Sequence, residues 1–238
     1  MKIPKFLSYW QDTMPLEKVE RLFGNYNASF KVKNREHIIN RGYKTLLDVG
    51  AGAFSEFYGF KDTGYEIGYT ATEITPKYID WGLSRGINAI QQKSFSKLDF
   101  DDRSFDVCLS YDMLNHQPDY RDILKELVRV AKKEVIVSFF LPFSEEIQAG
   151  AVPKTWEGSF SRFTTTTTDL GQLQFRVSNI TESGDGAEII EEATCLYLFP
   201  YQTVLKEFLD NLPNTRYEFE LVEAPSERRR WILHIVKE

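Results

Sequence analysis

The sequence predicts an α/β fold built on a doubly wound, mostly parallel sheet. Short apolar runs alternate with amphipathic stretches from residue 44 to residue 141, a pattern typical of parallel strands that are linked by helices. The chain has 238 residues, of which 42% are hydrophobic, and this is enough for one sizeable core. Together these observations favour a single α/β domain.

The first part of this region contains four predicted strands and two predicted helices. The apolar run Thr45-Leu-Leu-Asp-Val49 is typical of a buried strand. Pro76 suits the first position of a helix, where its missing N–H costs no hydrogen bond. In chain order we expect a strand over Thr45–Val49, a helix over Phe54–Phe60, a strand over Tyr65–Ile74, a helix from Pro76 to about Arg85, and strands over Ile87–Ile90 and Phe105–Tyr111.

The remaining elements follow the same alternation. Apolar residues at helical spacing between Ile123 and Val130 predict a helix over Asp119–Lys132. The β-branched and aromatic run Glu134–Leu141 predicts a strand. A helix over Tyr201–Leu212 and strands over Tyr217–Glu223 and Arg230–Lys237 are expected to complete the domain.

Two further segments flank or interrupt this pattern. Residues 1–43 look helical and rich in aromatic side chains. Residues 142–194 lack helical periodicity and hold five consecutive threonines at positions 164–168, which are compatible with a strand. We therefore expect a β-rich insertion at 142–194 within the single domain, and residues 195–238 to complete its sheet.

The charge balance limits the classes of partner. There are 29 Lys and Arg against 35 Asp and Glu, which gives a net charge of -6 and an isoelectric point of about 5.3. A protein that binds nucleic-acid phosphates or an anionic membrane needs a cationic face. We therefore expect neither nucleic acid nor a membrane as a partner, and the sequence does not indicate an oligomeric state.

Cysteine usage and the apolar runs predict the compartment. Cys108 and Cys195 each lie in an apolar stretch, without a second Cys or a His at metal-ligand spacing, so we expect buried thiols and no metal site. The amino-terminal residues lack the continuous apolar run of a secretory signal. Val135–Phe143 is about half the length that spans a bilayer. A soluble, cytoplasmic protein is expected.

The strand ends carry the residues that point to a ligand, because an open α/β sheet binds ligands at the carboxyl ends of its strands. The first strand leads into Asp48-Val-Gly50-Ala-Gly52, whose glycines allow a tight turn and close approach of a ligand. The second strand ends in Glu73, twenty-one residues after Gly52, where a carboxylate can accept both hydroxyls of a ribose. Together these features predict a cofactor that contains adenosine.

The residues around the glycines favour one such cofactor over another. A nicotinamide dehydrogenase would have a third glycine where this chain has Ser55. Asp48 is a poor neighbour for a pyrophosphate, but it suits a cationic amino-acid group. The pattern therefore favours S-adenosylmethionine, with its sulfonium and ammonium charges, and a nicotinamide oxidoreductase remains an alternative.

Residues 44–141 resemble the class I S-adenosylmethionine-dependent methyltransferases, a Rossmann-like superfamily. Beyond the Asp-x-Gly-x-Gly loop, the similarity lies in the segment from Leu98 to Asp119, in the helix with Leu-Lys-Glu-Leu-Val-Arg-Val, and in the following Lys-Lys-Glu. The resemblance covers about two fifths of the chain. It implies a seven-stranded sheet with an antiparallel C-terminal strand, and S-adenosylhomocysteine as the product.

The resemblance implies cofactor-binding roles for the first two strand ends. Asp48, Gly50, Ala51 and Gly52 would line the methionine and ribose part of the cofactor. Glu73 would accept hydrogen bonds from the ribose hydroxyls.

Further cofactor contacts are implied along the chain. Ile74 would pack on the adenine face. Ser94 would accept a hydrogen bond from the adenine amino group in place of the acidic residue that the family often has, and Phe95 would offer its backbone to the ring. Ser110 and Tyr111 would present backbone carbonyls to the methionine ammonium.

Phe54 departs from the family pattern, which often has a third glycine at this position. We expect either a shifted loop or an aromatic ring that forms part of the substrate wall, with consequences for cofactor affinity.

Methyl transfer from a sulfonium depends mainly on positioning and on exclusion of water. A general base helps when the acceptor is a hydroxyl. His116, just after the fourth strand, is the first candidate and Asp112 the second. His37 and His234 are placed less favourably, in the leading helix and in a terminal strand.

The acceptor is expected to be selected by the flanking segments. Residues 1–43 would form a helical lid, as leading helices do in similar enzymes, with Tyr9, Trp10 and Tyr26 over the cofactor. Trp156 in the insertion would line the acceptor pocket. Arg228, Arg229 and Arg230 are interpreted as a solvated turn, with a clamp for an anionic acceptor as the alternative.

The sequence thus predicts transfer of a methyl group to an oxygen or nitrogen of a small-molecule acceptor. A methyltransferase that acts on a protein or a nucleic acid is one alternative. It is disfavoured by the acidic charge and by Ser110-Tyr-Asp-Met, which stands where base-amine methyltransferases have Asn/Asp-Pro-Pro-Tyr. A non-catalytic or regulatory protein of the same fold, indicated by Phe54 and Ser94, is the other.

Overall fold

The computed structural model describes residues 15–117, 120–139, 162–167, 173–179, 192–198, 205–222 and 230–238. These residues belong to two compact units. The larger unit comprises 14–114, 119–140 and 212–238, and the smaller comprises 1–13, 115–118 and 141–211.

The larger unit alternates strands and helices, as the sequence predicts. Its helices are α1 (Leu16–Phe23), α2 (Ser29–Asn40), α3 (Ser55–Thr63), α4 (Pro76–Ser84) and α5 (Tyr120–Val130). Its strands are β1 (Thr45–Val49), β2 (Gly68–Glu73), β3 (Ala89–Gln91), β4 (Phe105–Tyr111), β5 (Ala131–Phe139), β9 (Thr215–Val222) and β10 (Arg230–Lys237). None of the described helices is long and apolar enough to cross a bilayer.

Seven strands form one sheet in the order β3-β2-β1-β4-β5-β10-β9. The first five strands are parallel, while β10 lies antiparallel between β5 and β9. The strand order reverses between β1 and β4, so their carboxyl ends diverge into a crevice at this point. The predicted mostly parallel sheet with an antiparallel C-terminal strand is confirmed.

The core forms where helices cover the central strands. Phe30 and Ile38 of α2 and Phe60 of α3 pack with Leu46, Val107, Leu109, Ile136 and Ile232 of the sheet. The crossover from β1 to β2 and that from β4 to β5 run in opposite directions along the sheet. Right-handed crossovers therefore place α3 and α5 on opposite faces.

Helix α3 and strand β2 differ in their bounds from the sequence predictions. Helix α3 begins at Ser55 because Phe54 has a left-handed backbone with φ of 54°, and it ends at Thr63 because Gly64 has φ of 67°. Strand β2 begins at Gly68 rather than at Tyr65.

The smaller unit contains an antiparallel sheet and a short helix. Strands β6 (Arg162–Thr167), β7 (Leu173–Asn179) and β8 (Glu192–Leu198) pair in that order, and α6 (Lys206–Asp210) follows. Four of the five consecutive threonines lie in β6. The insertion is β-rich as predicted, with β8 extending past residue 194.

Candidate cofactor site

The turn after β1 brings the glycine loop close to neighbouring strands. Gly50 has φ of 73° and Gly52 has φ of 51°, a conformation that glycine adopts without steric cost. A Cβ on Gly50 would lie 2.8 Å from Cγ of Met113. The amide nitrogens of Gly50 and Ala51 donate to the carbonyl oxygen of Thr72 over 2.9 and 3.2 Å. The loop is therefore held against the end of β2.

Glu73 lies at the end of β2 and faces this loop. Its carboxylate accepts hydrogen bonds from the amides of Ile74 (2.8 Å), Thr75 (3.4 Å) and Gly52 (3.4 Å). Burial raises the pKa of Glu73, while these backbone donors oppose the shift. The structure thus brings Gly52 and Glu73 together at the carboxyl edge of the sheet.

Asp48 is a buried carboxyl group on the strand side of the loop. The hydroxyl of Tyr69 donates to its Oδ2 over 2.7 Å. Burial raises the pKa of Asp48 to about 6, although the Tyr69 hydrogen bond and the positive charge of Lys31 act in the opposite direction. A cation placed beside Asp48 would favour its ionised form.

The end of β4 contributes Ser110 and Tyr111. The Ser110 hydroxyl donates to the carbonyl oxygen of Val49 over 3.1 Å, which ties β4 to β1. The ring of Tyr111 contacts the ring of Phe30 edge to face, with centroids 5.4 Å apart. Burial raises the pKa of Tyr111 well above its usual value, so its hydroxyl stays protonated.

The residues expected around the adenine differ in exposure. Phe95 is buried, and its Cζ lies 3.7 Å from the position that a Cβ on Gly50 would occupy. Ile74 is partly buried beside Glu73. Ser94 is exposed, and its hydroxyl forms a hydrogen bond of 2.8 Å with that of Ser96. Binding of an adenine amino group by Ser94 would require this bond to be shared or exchanged.

Phe54 is a core residue rather than part of a substrate wall. Its side chain is fully buried and packs on Trp81 of α4, with ring centroids 5.7 Å apart. A Cβ on Gly82 would lie 2.7 Å from its Cζ. The expectation that this ring lines the substrate pocket is therefore wrong: it fills the space between α3 and α4.

Asp112 is held by a cation from the C-terminal strand. It has φ of 57°, and its Oδ2 lies 3.0 and 3.1 Å from two guanidinium nitrogens of Arg230. The Ser138 hydroxyl donates to Oδ1 over 2.8 Å. The interpretation of Arg230 as part of a solvated turn is wrong, because this ion pair anchors the start of β10.

Of the remaining predicted site residues, the structure describes His116 and Tyr26. His116 is partly buried at the end of a 3₁₀ turn, Leu114–His116. The Tyr26 hydroxyl forms a hydrogen bond with Asp62 that raises the pKa of Tyr26. Tyr9, Trp10 and Trp156 lie outside the described residues.

A charged cluster beside the glycine loop was not predicted from the sequence. Arg35 of α2 forms a buried ion pair with Glu56 of α3, with Nη1 and Oε2 3.0 Å apart. Lys31, one turn earlier on α2, donates to the Ser55 hydroxyl over 2.7 Å. Lys31 and Arg35 are four residues apart, which places both side chains on one face of the helix. This spacing is the feature of the sequence that could have indicated the cluster.

The electrostatics of this cluster follow from burial. Burial raises the pKa of Glu56 to about 7, although the charges of Arg35 and Lys31 oppose the shift. Burial lowers the pKa of Lys31, against the attraction of Glu56, Asp112 and Asp48. In the described part of the chain, Oε1 of Glu56 has no hydrogen-bond donor. The cluster thus offers both signs of charge beside Asp48.

Residues 47–139 match a family model that is described as a methyltransferase domain. This range runs from β1 to the end of β5 and includes the glycine loop, Glu73 and the end of β4. No curated protein sequence matches the chain.

Solved structures share the fold at low sequence identity. A protein from Pyrococcus horikoshii OT3 has a TM-score of 0.60 and 14% identity over 92% of this chain and 98% of its own. The 1,6-didemethyltoxoflavin-N1-methyltransferase of Burkholderia thailandensis, with bound 1,6-didemethyltoxoflavin and S-adenosylhomocysteine, has a TM-score of 0.57 and 16% identity over 98% and 85%. An S-adenosylmethionine-bound amino pentose methyltransferase from Micromonospora echinaspora has a TM-score of 0.57 and 13% identity over 100% and 98%.

The family match and the shared topology agree on the same region of the chain. Residues 47–139 match the methyltransferase domain, and the fold to which they contribute is shared with solved structures that include S-adenosylmethionine-dependent methyltransferases.

Proposed function

We propose that the protein transfers a methyl group from S-adenosylmethionine to an oxygen or nitrogen atom of a small molecule. The observation that carries the proposal is the meeting of the Gly50–Gly52 loop with the Glu73 carboxylate, 3.4 Å from the Gly52 amide, at the point where the strand order reverses. This is the place at which an open α/β sheet binds a nucleoside.

The residues present fit the cofactor. The space over Gly52 is open, since a Cβ there would meet nothing within 4 Å. Oε2 of Glu73 accepts one backbone hydrogen bond, from Gly52, and has a second lone pair for a ribose hydroxyl, whereas Oε1 already accepts from the amides of Ile74 and Thr75. Ile74 and Phe95 would hold the adenine between apolar surfaces.

The charged groups match the amino-acid part of the cofactor. Asp48 and the donor-free Oε1 of Glu56 would attract the ammonium group, with the Ser110 and Tyr111 carbonyls as further acceptors. Lys31 would attract the carboxylate. When bound, the cofactor supplies an electrophilic methyl group on its sulfonium.

The protein's own part in the reaction is to position the acceptor and to exclude water. A base at His116 would accept the proton of a hydroxyl acceptor. Asp112 is less suited to this role, because Arg230 and Ser138 already occupy its two oxygens. Helices α1 and α2 would help to select the acceptor.

Two observations favour a small acceptor. The chain carries a net charge of -6, which disfavours a polyanionic nucleic acid. Two of the similar solved structures are described as methyltransferases of small molecules, 1,6-didemethyltoxoflavin and an amino pentose.

The proposal is tested by incubating the protein with S-adenosylmethionine and separate panels of small hydroxyl compounds, small amines, unfolded protein and oligonucleotides, and measuring S-adenosylhomocysteine. We expect product only with a small-molecule panel, and His116→Gln to lower kcat for a hydroxyl acceptor while leaving cofactor affinity unchanged. Product formation only with protein or nucleic acid would contradict the proposed acceptor class.

A further inference from the structure

Three side chains with metal-ligating atoms meet in the larger unit, away from the cofactor site. His37 of α2, Glu134 of β5 and His234 of β10 present ligand atoms that all lie within 4.8 Å of one another. The Nε2 of His37 is 2.9 Å from Oε2 of Glu134, and the Nδ1 of His234 is 2.8 Å from Oε1. The three residues are separated by about a hundred positions in each direction, so no local spacing in the sequence reveals them.

The sheet register separates this cluster from the cofactor site. Glu134 pairs with Val107 near the start of β4, whereas Ser138 pairs with Tyr111 at its end. Four residues along a strand correspond to about 13 Å. The cluster therefore lies toward the amino end of β5, opposite the edge that holds the glycine loop.

The arrangement matches the coordination geometry of zinc. On a tetrahedral zinc ion with bonds of about 2.1 Å, ligand atoms lie about 3.3 Å apart and two imidazole centroids about 5 Å apart. The centroids of His37 and His234 are 5.2 Å apart. Oε1 of Glu134 lies 2.8 Å from Nδ1 of His234 and 3.1 Å from Nε2 of His37, so these separations need to widen by about 0.2–0.5 Å to match a tetrahedral ion.

The charge balance also favours a cation here. Glu134 is 1% exposed, and its only ion-pair partners in the described ranges are these two histidines. Neutral imidazoles leave a buried carboxylate without a compensating charge, which is costly in a protein interior. Two imidazoles and a carboxylate are a donor set found at zinc sites, and imidazole ligands also suit copper, iron and nickel.

The surroundings complete such a site. The Tyr43 hydroxyl donates to Oε2 of Glu134 over 2.8 Å, and hydrogen bonds of this kind orient the ligands of bound metals. The His37 side chain is 30% exposed, which leaves a route for an ion and room for a water molecule as a fourth ligand.

We propose that His37, Glu134 and His234 form a zinc site that fastens α2 to strands β5 and β10. Helix α2 also carries Lys31 and Arg35 beside the cofactor site. A metal at its other end would hold the helix in the position that keeps these cations in place. The site is structural and takes no part in methyl transfer.

The test is titration of the full-length, chelator-treated protein with zinc chloride by calorimetry, together with elemental analysis. We expect one zinc per chain, a higher melting temperature in zinc, and tetrahedral visible absorption bands when cobalt replaces zinc. His37→Ala and His234→Ala should abolish stoichiometric binding, and Tyr43→Phe should weaken it about 10-fold to 100-fold.

The chain has three histidines, and His116 is the one outside the proposed site. His116→Ala is therefore the matched control and should bind zinc like the wild type. Circular dichroism shows whether each variant folds, and the cobalt spectrum of the wild type tests the site without any variant. The proposal is overturned if the wild type binds no zinc, or if a folded His37→Ala, His234→Ala double variant still binds one ion. In the first case the three side chains form only a hydrogen-bonded network.

Discussion

At the scale of single residues, Asp48 connects the local structure to cofactor binding. Its carboxyl group is buried and bonded to Tyr69, and its pKa of about 6 reflects desolvation. A ligand with an ammonium group favours the ionised carboxylate, so binding lowers this pKa and releases a proton.

Cofactor affinity should therefore rise with pH. Between pH 5 and pH 7, S-adenosylhomocysteine is expected to bind up to about 10-fold more tightly, because the ionised fraction of Asp48 increases through its pKa. Above about pH 8, where Glu56, with its pKa of about 7, is also ionised, the affinity should level off. Calorimetry at several pH values measures this, and Asp48→Asn should remove most of the dependence. A wild-type affinity that falls as the pH rises would contradict this role.

The residues of the candidate cofactor site that lie at strand ends could be predicted from the sequence, whereas those that lie on helices could not. Asp48, Gly50 and Glu73 follow recognisable strands, and parallel strands bring their carboxyl ends to one edge. Lys31 and Glu56 lie on helices whose packing partners are not encoded in their own spacing. The roles of the predicted residues remain predictions that the experiments above address.

At the scale of elements, the start of α3 combines strain and packing. Phe54 has a left-handed backbone that costs a residue with a Cβ about 1–2 kcal/mol, yet its ring is fully buried against Trp81. Deleting a buried aromatic ring typically costs about 3–5 kcal/mol. Packing therefore outweighs strain at this position.

Phe54→Gly should consequently destabilise the protein by about 1–4 kcal/mol, since the lost packing exceeds the relieved strain. Urea unfolding followed by circular dichroism measures the difference. Arg103, which has φ of 55° on an exposed side chain, is the matched control. Arg103→Gly should leave stability unchanged or raise it by up to about 1 kcal/mol. Equal effects at both positions would contradict the packing argument.

The packing of α2 on α3 depends on a glycine that admits a guanidinium. A Cβ on Gly59 would lie 2.2 Å from Nη1 of Arg35, which pairs with Glu56. Gly59→Ala should thus destabilise the protein by about 1–3 kcal/mol. In an Arg35→Ala background the same substitution should instead stabilise α3 by up to about 1 kcal/mol, because alanine is the better helix former. A double-mutant cycle by urea unfolding measures this coupling, and additive effects would argue against the contact.

At the scale of the whole molecule, the C-terminal strand completes the sheet. Strand β10 lies between β5 and β9, and its residue Lys237 donates to the carbonyl oxygens of Val128 and Ala131, each over 2.8 Å. Removing residues 230–238 should abolish cooperative thermal unfolding, since β5 would lose one of its two neighbours and β9 the one partner that it has among the described strands. Removal of Glu238 alone, which follows the strand, is the control and should preserve the transition. A cooperative transition in the longer truncation would contradict the importance of β10.

The alternation of strands and helices was sufficient to predict the fold class, because parallel strands need crossover connections, which are usually helices. It was insufficient to predict where β10 lies. An antiparallel strand with a given apolar pattern can join the edge of a sheet or insert between two strands. The side chains that decide between these positions, such as Arg230 with Asp112, come from distant parts of the chain. The same holds for His37, Glu134 and His234.

The central claim is that the loop Gly50–Gly52 and Glu73 form a nucleoside site for S-adenosylmethionine. Calorimetric titration with S-adenosylmethionine and S-adenosylhomocysteine tests it most directly, using the wild type, Glu73→Ala and the control Glu66→Ala, which removes an exposed glutamate just before β2. We predict sub-millimolar binding of both compounds to the wild type and to Glu66→Ala, and its loss in Glu73→Ala. The claim is contradicted if neither compound binds, or if Glu73→Ala binds them as the wild type does.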